Sequence, residues 1–82
     1  MKDERDEKRI KRKILLNAVY KKANGRTSEP VNIDEIIESI NDKTDDFSDS
    51  VEYLTDEGYI KRLGNGSPIF LLMPKGRNTA EA

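Results

Sequence analysis

The sequence predicts an α+β domain of three helices followed by a two-stranded β-hairpin. Apolar residues recur at helical spacing in three segments, and polar or glycine-containing stretches that favour turns separate these segments. Further along the chain, two short apolar segments flank Gly-Asn-Gly-Ser-Pro, a composition typical of a tight hairpin turn. With 82 residues, the chain is long enough for one domain with a single modest core.

The first helix is predicted in two parts. Residues 1–9 are mostly charged and form a frayed N-terminal extension, whereas an apolar stripe begins at Ile10. Asn24 and Gly25 are residue types that adopt the left-handed conformation, so they should end the helix. The stripe recurs at helical spacing and is expected to be buried; it consists of Ile10, Ile14, Leu15, Ala18 and Val19.

The second helix is predicted to begin after a short extended segment at Val31. The side chain of Asn32 can accept a hydrogen bond from the free amide of Glu35, an N-terminal capping arrangement. Four isoleucines then follow at positions i, i+3, i+4 and i+7, which is one face of an amphipathic helix. These isoleucines are Ile33, Ile36, Ile37 and Ile40.

The third helix follows a short polar turn at residues 41–44, with Thr44 as the expected N-cap. Phe47, Val51 and Leu54 have the spacing of a buried face, and Gly58 should end the helix. Residues 59–63 and 69–73 are the two predicted strands. The predicted domain therefore covers residues 10–74, and residues 75–82 are expected to form a disordered tail.

Charge is distributed unevenly along the chain. Residues 1–26 contain ten Lys or Arg and four Asp or Glu, a net charge of +6, while residues 27–60 contain one and eleven, a net charge of −10. Residues 61–82 contain four and one, a net charge of +3. This asymmetry predicts charged partners or self-association.

The composition excludes several classes of function. The chain has no Cys and no His, which removes thiol nucleophiles, imidazole bases, disulfides and the usual zinc sites. Carboxylates on one helix radiate outward rather than converge on a cation, so we expect no enzyme activity, no metal and no cofactor. The longest apolar run, residues 69–73, is too short for a membrane span, and we expect a cytoplasmic protein without a membrane partner.

Two stretches resemble known sequences. VEYLTDEGYIKR, residues 51–62, resembles the end of the third helix and the first wing strand of many prokaryotic winged helix-turn-helix regulators. IFLLMPKG, residues 69–76, resembles their second wing strand and the Leu-Thr-Pro-Lys-Gly that closes it, with Met73 in place of Thr. The resemblance implies a winged-helix transcriptional regulator, often dimeric, whose third helix enters the DNA major groove while the wing contacts phosphate or the minor groove.

The third helix departs from that pattern because its predicted exposed face is acidic. Carboxylates oppose the neutralisation of phosphates on which DNA binding depends. The leading hypothesis is therefore that double-stranded DNA is bound through the basic first helix and the wing. The candidate nucleic-acid contacts are Lys8, Arg9, Lys11, Arg12, Lys13, Lys61, Arg62, Asn65, Lys75 and Arg77.

The alternative hypothesis is a winged-helix module for protein–protein interaction. Its acidic third helix would dock on a basic partner protein or on the basic first helix of another copy. A homodimer held by the apolar stripe beginning at Ile10 is a further possibility, and it would resist salt. The candidate partner-binding residues are Asp45, Asp46, Asp49, Glu52 and Asp56.

Overall fold

Four helices and a three-stranded antiparallel sheet make up the described part of the chain. The computed structural model describes residues 4–40 and 47–82, and in the first helix it describes side chains from Glu7 onward. The α+β class is confirmed, but the predicted numbers of helices and strands were too low. The elements are α1 (Glu4–Lys22), β1 (Val31–Asn32), α2 (Ile33–Ile40), α3 (Ser48–Asp56), β2 (Ile60–Arg62), β3 (Ile69–Leu72) and α4 (Pro74–Glu81).

The sheet contains one strand more than the hairpin. The expected extended segment at Val31 is confirmed as β1, and it pairs antiparallel with β3, placing Val31 opposite Phe70. On its other side β3 pairs with β2, with Arg62 opposite Phe70, so the strand order is β1-β3-β2. The amide of Ile33 donates to the carbonyl oxygen of Pro68 at 2.8 Å and ties the start of α2 to the same sheet.

Residues 75–82 are not a disordered tail, because residues 74–81 form α4. Pro74 occupies the first turn, where its fixed φ suits a helix and its missing N–H is not needed. A Cβ added to Gly76 would overlap the carbonyl oxygen of Tyr59, so glycine is what allows this close approach. At the far end, the Tyr20 hydroxyl donates to Glu81 Oε2 at 2.8 Å and joins α4 to α1.

Both longer helices that precede the hairpin end in the same hydrogen-bond pattern. At the end of α1, Asn24 has φ of +56° and its N–H bonds to Lys21, while the N–H of Gly25 bonds to Tyr20. At the end of α3, Gly58 has φ of +83° and the N–H of Tyr59 bonds to the carbonyl of Leu54. Both are Schellman motifs, and both predicted helix ends are confirmed.

The buried face of α1 differs from the predicted stripe. Leu15 and Val19 are fully buried as expected, but Ile10 is 43% exposed and Ile14 is 44% exposed. The helix instead turns Leu16 and Ala23 into the core. The apolar spacing is compatible with more than one side of α1 facing the core. The packing of α1 against α2 and α3 selects the side on which Ile10 and Ile14 point away from the core.

The predicted faces of α2 and α3 pack into the core. The cap of α2 is confirmed, since Asn32 Oδ1 accepts from the amides of Asp34 at 2.9 Å and Glu35 at 3.2 Å. In α3, which begins at Ser48, the predicted inward residues Phe47, Val51 and Leu54 are buried. The turn at residues 41–44, the Thr44 cap, Asp45 and Asp46 lie outside the described residues.

Candidate functional site

A groove of about 1040 Å³ runs between α1, α3 and α4. One wall carries four of the predicted DNA-contacting residues, and Leu16 continues the same wall. The opposite side includes Tyr53 and Tyr59 together with residues of α4. We call this the basic groove after its four cations: Lys8, Arg9, Arg12 and Lys13.

Arg12 joins the basic groove to α3. Its Nη2 lies 3.3 Å from Asp49 Oδ2, and its guanidinium carbon lies 3.8 Å from the centre of the Tyr53 ring. The side chain of Arg12 is 27% exposed and that of Asp49 is 54% exposed, so the ion pair alone stabilises little. Stacking on the ring adds to it and covers the stem of Arg12. One predicted DNA contact and one predicted partner-binding residue therefore interact with each other.

Another cation, Lys75, contacts Tyr59, one of the two tyrosines of the groove. Lys75 Nζ donates to the carbonyl oxygen of Glu57 at 2.8 Å and lies 4.7 Å from the centre of the Tyr59 ring. The Tyr59 and Tyr53 rings are 6.4 Å apart and tilted by 32°. These contacts connect the end of α3 to the start of α4 and keep a positive charge beside Tyr59.

The basic residues of the hairpin do not share one surface. Lys61 and Arg62 are both exposed, and consecutive strand residues point to opposite faces of the sheet. The guanidinium of Arg62 lies 5.1 Å from the centre of the Phe70 ring, which is its cross-strand partner. Asn65 is exposed at the hairpin turn, as predicted.

A second groove, of about 680 Å³, lies between α2, α3 and β2. Asp34, Glu52 and Asp56 line it around an apolar floor that includes Ile37 and Val51. Arg62 also borders this groove, so an anion approaching Arg62 meets three carboxylates. We call this surface the acidic groove.

The hydrogen bond between Tyr20 and Glu81 connects the C-terminal parts of α1 and α4. Because the Tyr20 hydroxyl donates to the carboxylate of Glu81, the pKa of Tyr20 is raised above its ordinary value. The positive charge of Arg77 acts in the opposite direction on the same phenol. Arg77, a predicted DNA contact, is thus placed near Tyr20 on the α4 side.

The structure does not bring the predicted site residues together on one surface. Four cations of α1 come together in the basic groove, while Lys11 is half-buried on the same helix outside that set. Asp49 meets Arg12, whereas Glu52 and Asp56 line the acidic groove. Sequence reasoning missed Asp34, and the available signal was its position three residues before Ile37, which lines the same groove.

No helix within residues 4–40 and 47–82 has both the length and the apolar composition needed to cross a membrane. Within those ranges, no group of three or more carboxylates is placed to hold a metal ion. A scan of protein-family models and searches of curated proteins and of solved structures found no match to this chain.

Proposed function

We propose that this protein is a winged-helix DNA-binding protein and transcriptional regulator that holds the phosphate backbone through the basic groove. The element order supports the winged-helix assignment: β1 precedes α2 and α3, and the β2–β3 hairpin follows them and pairs with β1. Lys61 and Asn65, both exposed, extend the proposed contact to the hairpin.

The observation that carries the proposal is the separation of the two charge signs. Lys8, Arg9 and Lys13 line one groove, and Asp34, Glu52 and Asp56 line another on the side of α3 that faces α2. Phosphates can therefore approach these three cations without meeting those three carboxylates, while Asp49 is paired with Arg12. DNA binding gains free energy from the counterions that such cations release, so an exposed row of them is suited to backbone contact.

The test is fluorescence anisotropy of the full chain with random duplex DNA, at low and then at moderate salt. We expect binding that weakens steeply with salt. Lys13→Glu should weaken binding to all sequences and lower the salt slope by about 1. The matched control is Lys22→Glu, which makes the same charge change on the same helix at an exposed position outside the groove.

Two results would overturn the proposal. One is no binding at micromolar protein in low salt. The other is equal weakening by Lys13→Glu and Lys22→Glu, which would mean that net charge rather than the basic groove governs binding. Glu52→Lys distinguishes binding through the basic groove from docking of α3 in the major groove. It should change DNA affinity little if the basic groove binds the phosphates, and it should strengthen DNA binding if α3 enters the major groove.

A second candidate function is docking on a basic partner protein, and the acidic groove favours it. Three carboxylates from two helices surround an apolar floor, an arrangement suited to a Lys- or Arg-containing segment with one apolar anchor. A labelled oligolysine peptide should bind the protein and lose binding with Asp56→Lys. Glu38→Lys is the control, since Glu38 is an exposed acid of α2 that does not line the groove.

A further inference from the structure

The outer face of α1 carries two exposed isoleucines. Ile10 and Ile14 lie one turn apart and are 43% and 44% exposed, on the side opposite the buried Leu16. Ala18, half-buried, continues the row by another turn. A single exposed apolar residue is ordinary, but a row of three along one helix face is a surface that gains free energy when it is covered.

The charges at the two ends of this row are opposite. Glu7 lies seven residues before Ile14, and Lys21 lies seven residues after it, and both are exposed. Residues separated by four and by seven lie on the same side of a helix, so Glu7 and Lys21 belong to the face that carries the isoleucines. The face is acidic at one end and basic at the other, and its middle is apolar except for Lys11, which is four residues after Glu7.

We propose that this face of α1 binds the same face of a second copy, antiparallel and with a two-fold axis at Ile14. Residues equally far from Ile14 on either side then meet. Ile14 packs on Ile14 of the second copy, Ile10 packs on Ala18, and Glu7 pairs with Lys21 at each end. Such an isologous contact is self-complementary and closes as a dimer.

The chemistry of the face favours a second copy over an unrelated partner. An antiparallel copy supplies an apolar group opposite each isoleucine and a cation opposite each Glu7 without any further residue. A parallel pair would place Glu7 on Glu7 and Lys21 on Lys21, which is repulsive. The self-complementary order of charges therefore fixes both the partner and the direction.

The proposed interface lies away from one wall of the basic groove and beside another. Lys8, Arg12 and Leu16 form one α1 row in that groove and are offset by two residues from the row of Ile10, Ile14 and Ala18, a rotation of about 200° that puts these two rows on opposite sides of the helix. Arg9 and Lys13 precede Ile10 and Ile14 by one residue, a rotation of about 100°, so these two cations of the groove flank the interface. Dimerisation can be measured without DNA, and neither proposal depends on the other.

The test is sedimentation equilibrium of the full chain from micromolar to millimolar concentration, with and without high salt. We expect a monomer–dimer equilibrium that persists in high salt, because its centre is apolar. Ile14→Ser should weaken the dimer by about tenfold or more, since the two-fold axis removes the contact from both copies. The exposed position should leave the circular dichroism spectrum and the thermal unfolding of the monomer unchanged.

Charge reversal tests the direction of pairing. Glu7→Lys and Lys21→Glu should each weaken the dimer, and the double variant should restore it, because the pair is then reversed rather than broken. Glu38→Lys, which makes the same charge change as Glu7→Lys at an exposed position of α2, is the matched control and should leave the dimer unchanged. A monomer at every concentration, an unaffected Ile14→Ser dimer, or larger oligomers that dissociate in salt would each overturn the proposal.

Discussion

The carboxylates of Asp49, Glu52 and Asp56 share the exposed face of α3, because they are three, four and seven residues apart, but the two edges of that face have different surroundings. On the side that faces α1, Asp49 meets Arg12, which also stacks on Tyr53. On the side that faces α2, Glu52 and Asp56 share a groove with Asp34, so three acids border one cation. The net charge of α3 therefore does not describe its surfaces, because each carboxylate mainly affects the surface that it borders.

The difference between the two sides determines which charge an approaching ligand meets. A ligand that approaches the α1 side meets Lys8, Arg9 and Lys13, whereas a ligand that approaches the α2 side meets a negative surface. Variants that disturb one side and spare the other test whether the two sides are independent.

The largest effect on stability should come from Gly76→Ala in α4, the helix that lines the basic groove together with α1. A Cβ at this position meets the backbone oxygen of Tyr59, which cannot move aside like a side chain. We expect a loss of about 2–3 kcal/mol in the free energy of unfolding, measured by urea denaturation. Weaker DNA binding should accompany it, because α4 lines the basic groove. Asn78→Ala, at an exposed position of the same helix, is the control, and an equal loss there would contradict the explanation.

Arg12→Ala breaks the connection between α1 and α3. It removes both the stacking on Tyr53 and the pair with Asp49, and we expect a loss of about 1–2 kcal/mol in the free energy of unfolding. Lys13→Ala, at the adjacent exposed position, should change it by less than about 0.5 kcal/mol. A double-mutant cycle with Asp49→Ala then measures the ion pair alone, and its coupling should be small because Asp49 is 54% exposed.

Asn32→Ala acts on the α2 side alone. It removes the acceptor for the amides of Asp34 and Glu35 and should cost about 1 kcal/mol in urea unfolding. Asn32→Ser keeps a capping oxygen and should recover most of that loss. DNA binding by the basic groove should not change, and weaker binding would show that the two sides are coupled.

The smallest effect should come from the contact between Tyr20 and Glu81. Since the folded-state pKa of Tyr20 is raised, its stabilising contribution is present below the ordinary value of about 10 and is lost as pH rises through the folded value. Urea unfolding of the wild type and of Tyr20→Phe should therefore differ near neutral pH and converge in alkali. A difference that stays constant with pH would exclude this contact as its cause.

Elements with a regular pattern could be predicted from the sequence. The spacing of Phe47, Val51 and Leu54 identified the buried face of α3, and Asn24 and Gly58 marked helix ends, because these signals are local. The hairpin followed from its turn residues for the same reason.

The missed features depend on contacts between distant residues. Helix α4 has almost no apolar periodicity and is instead held by a backbone contact at Gly76 and a hydrogen bond between side chains 61 residues apart. The ion pair of Arg12 with Asp49 spans 37 residues, and no local pattern records it. The exposure of Ile10 and Ile14 likewise follows from how α1 packs against the rest of the chain.

The short strand β1 has a consequence for the order of folding. The hairpin closes between Arg62 and Phe70, which are 8 residues apart, whereas Val31 and Phe70 are 39 apart. Closing the longer loop costs about 1.4 kcal/mol more in chain entropy, and only two residue pairs offset that cost. We therefore expect β1 to join the sheet after the hairpin has formed. In native-state hydrogen exchange, the amides that pair β1 with β3 should open before those that pair β2 with β3.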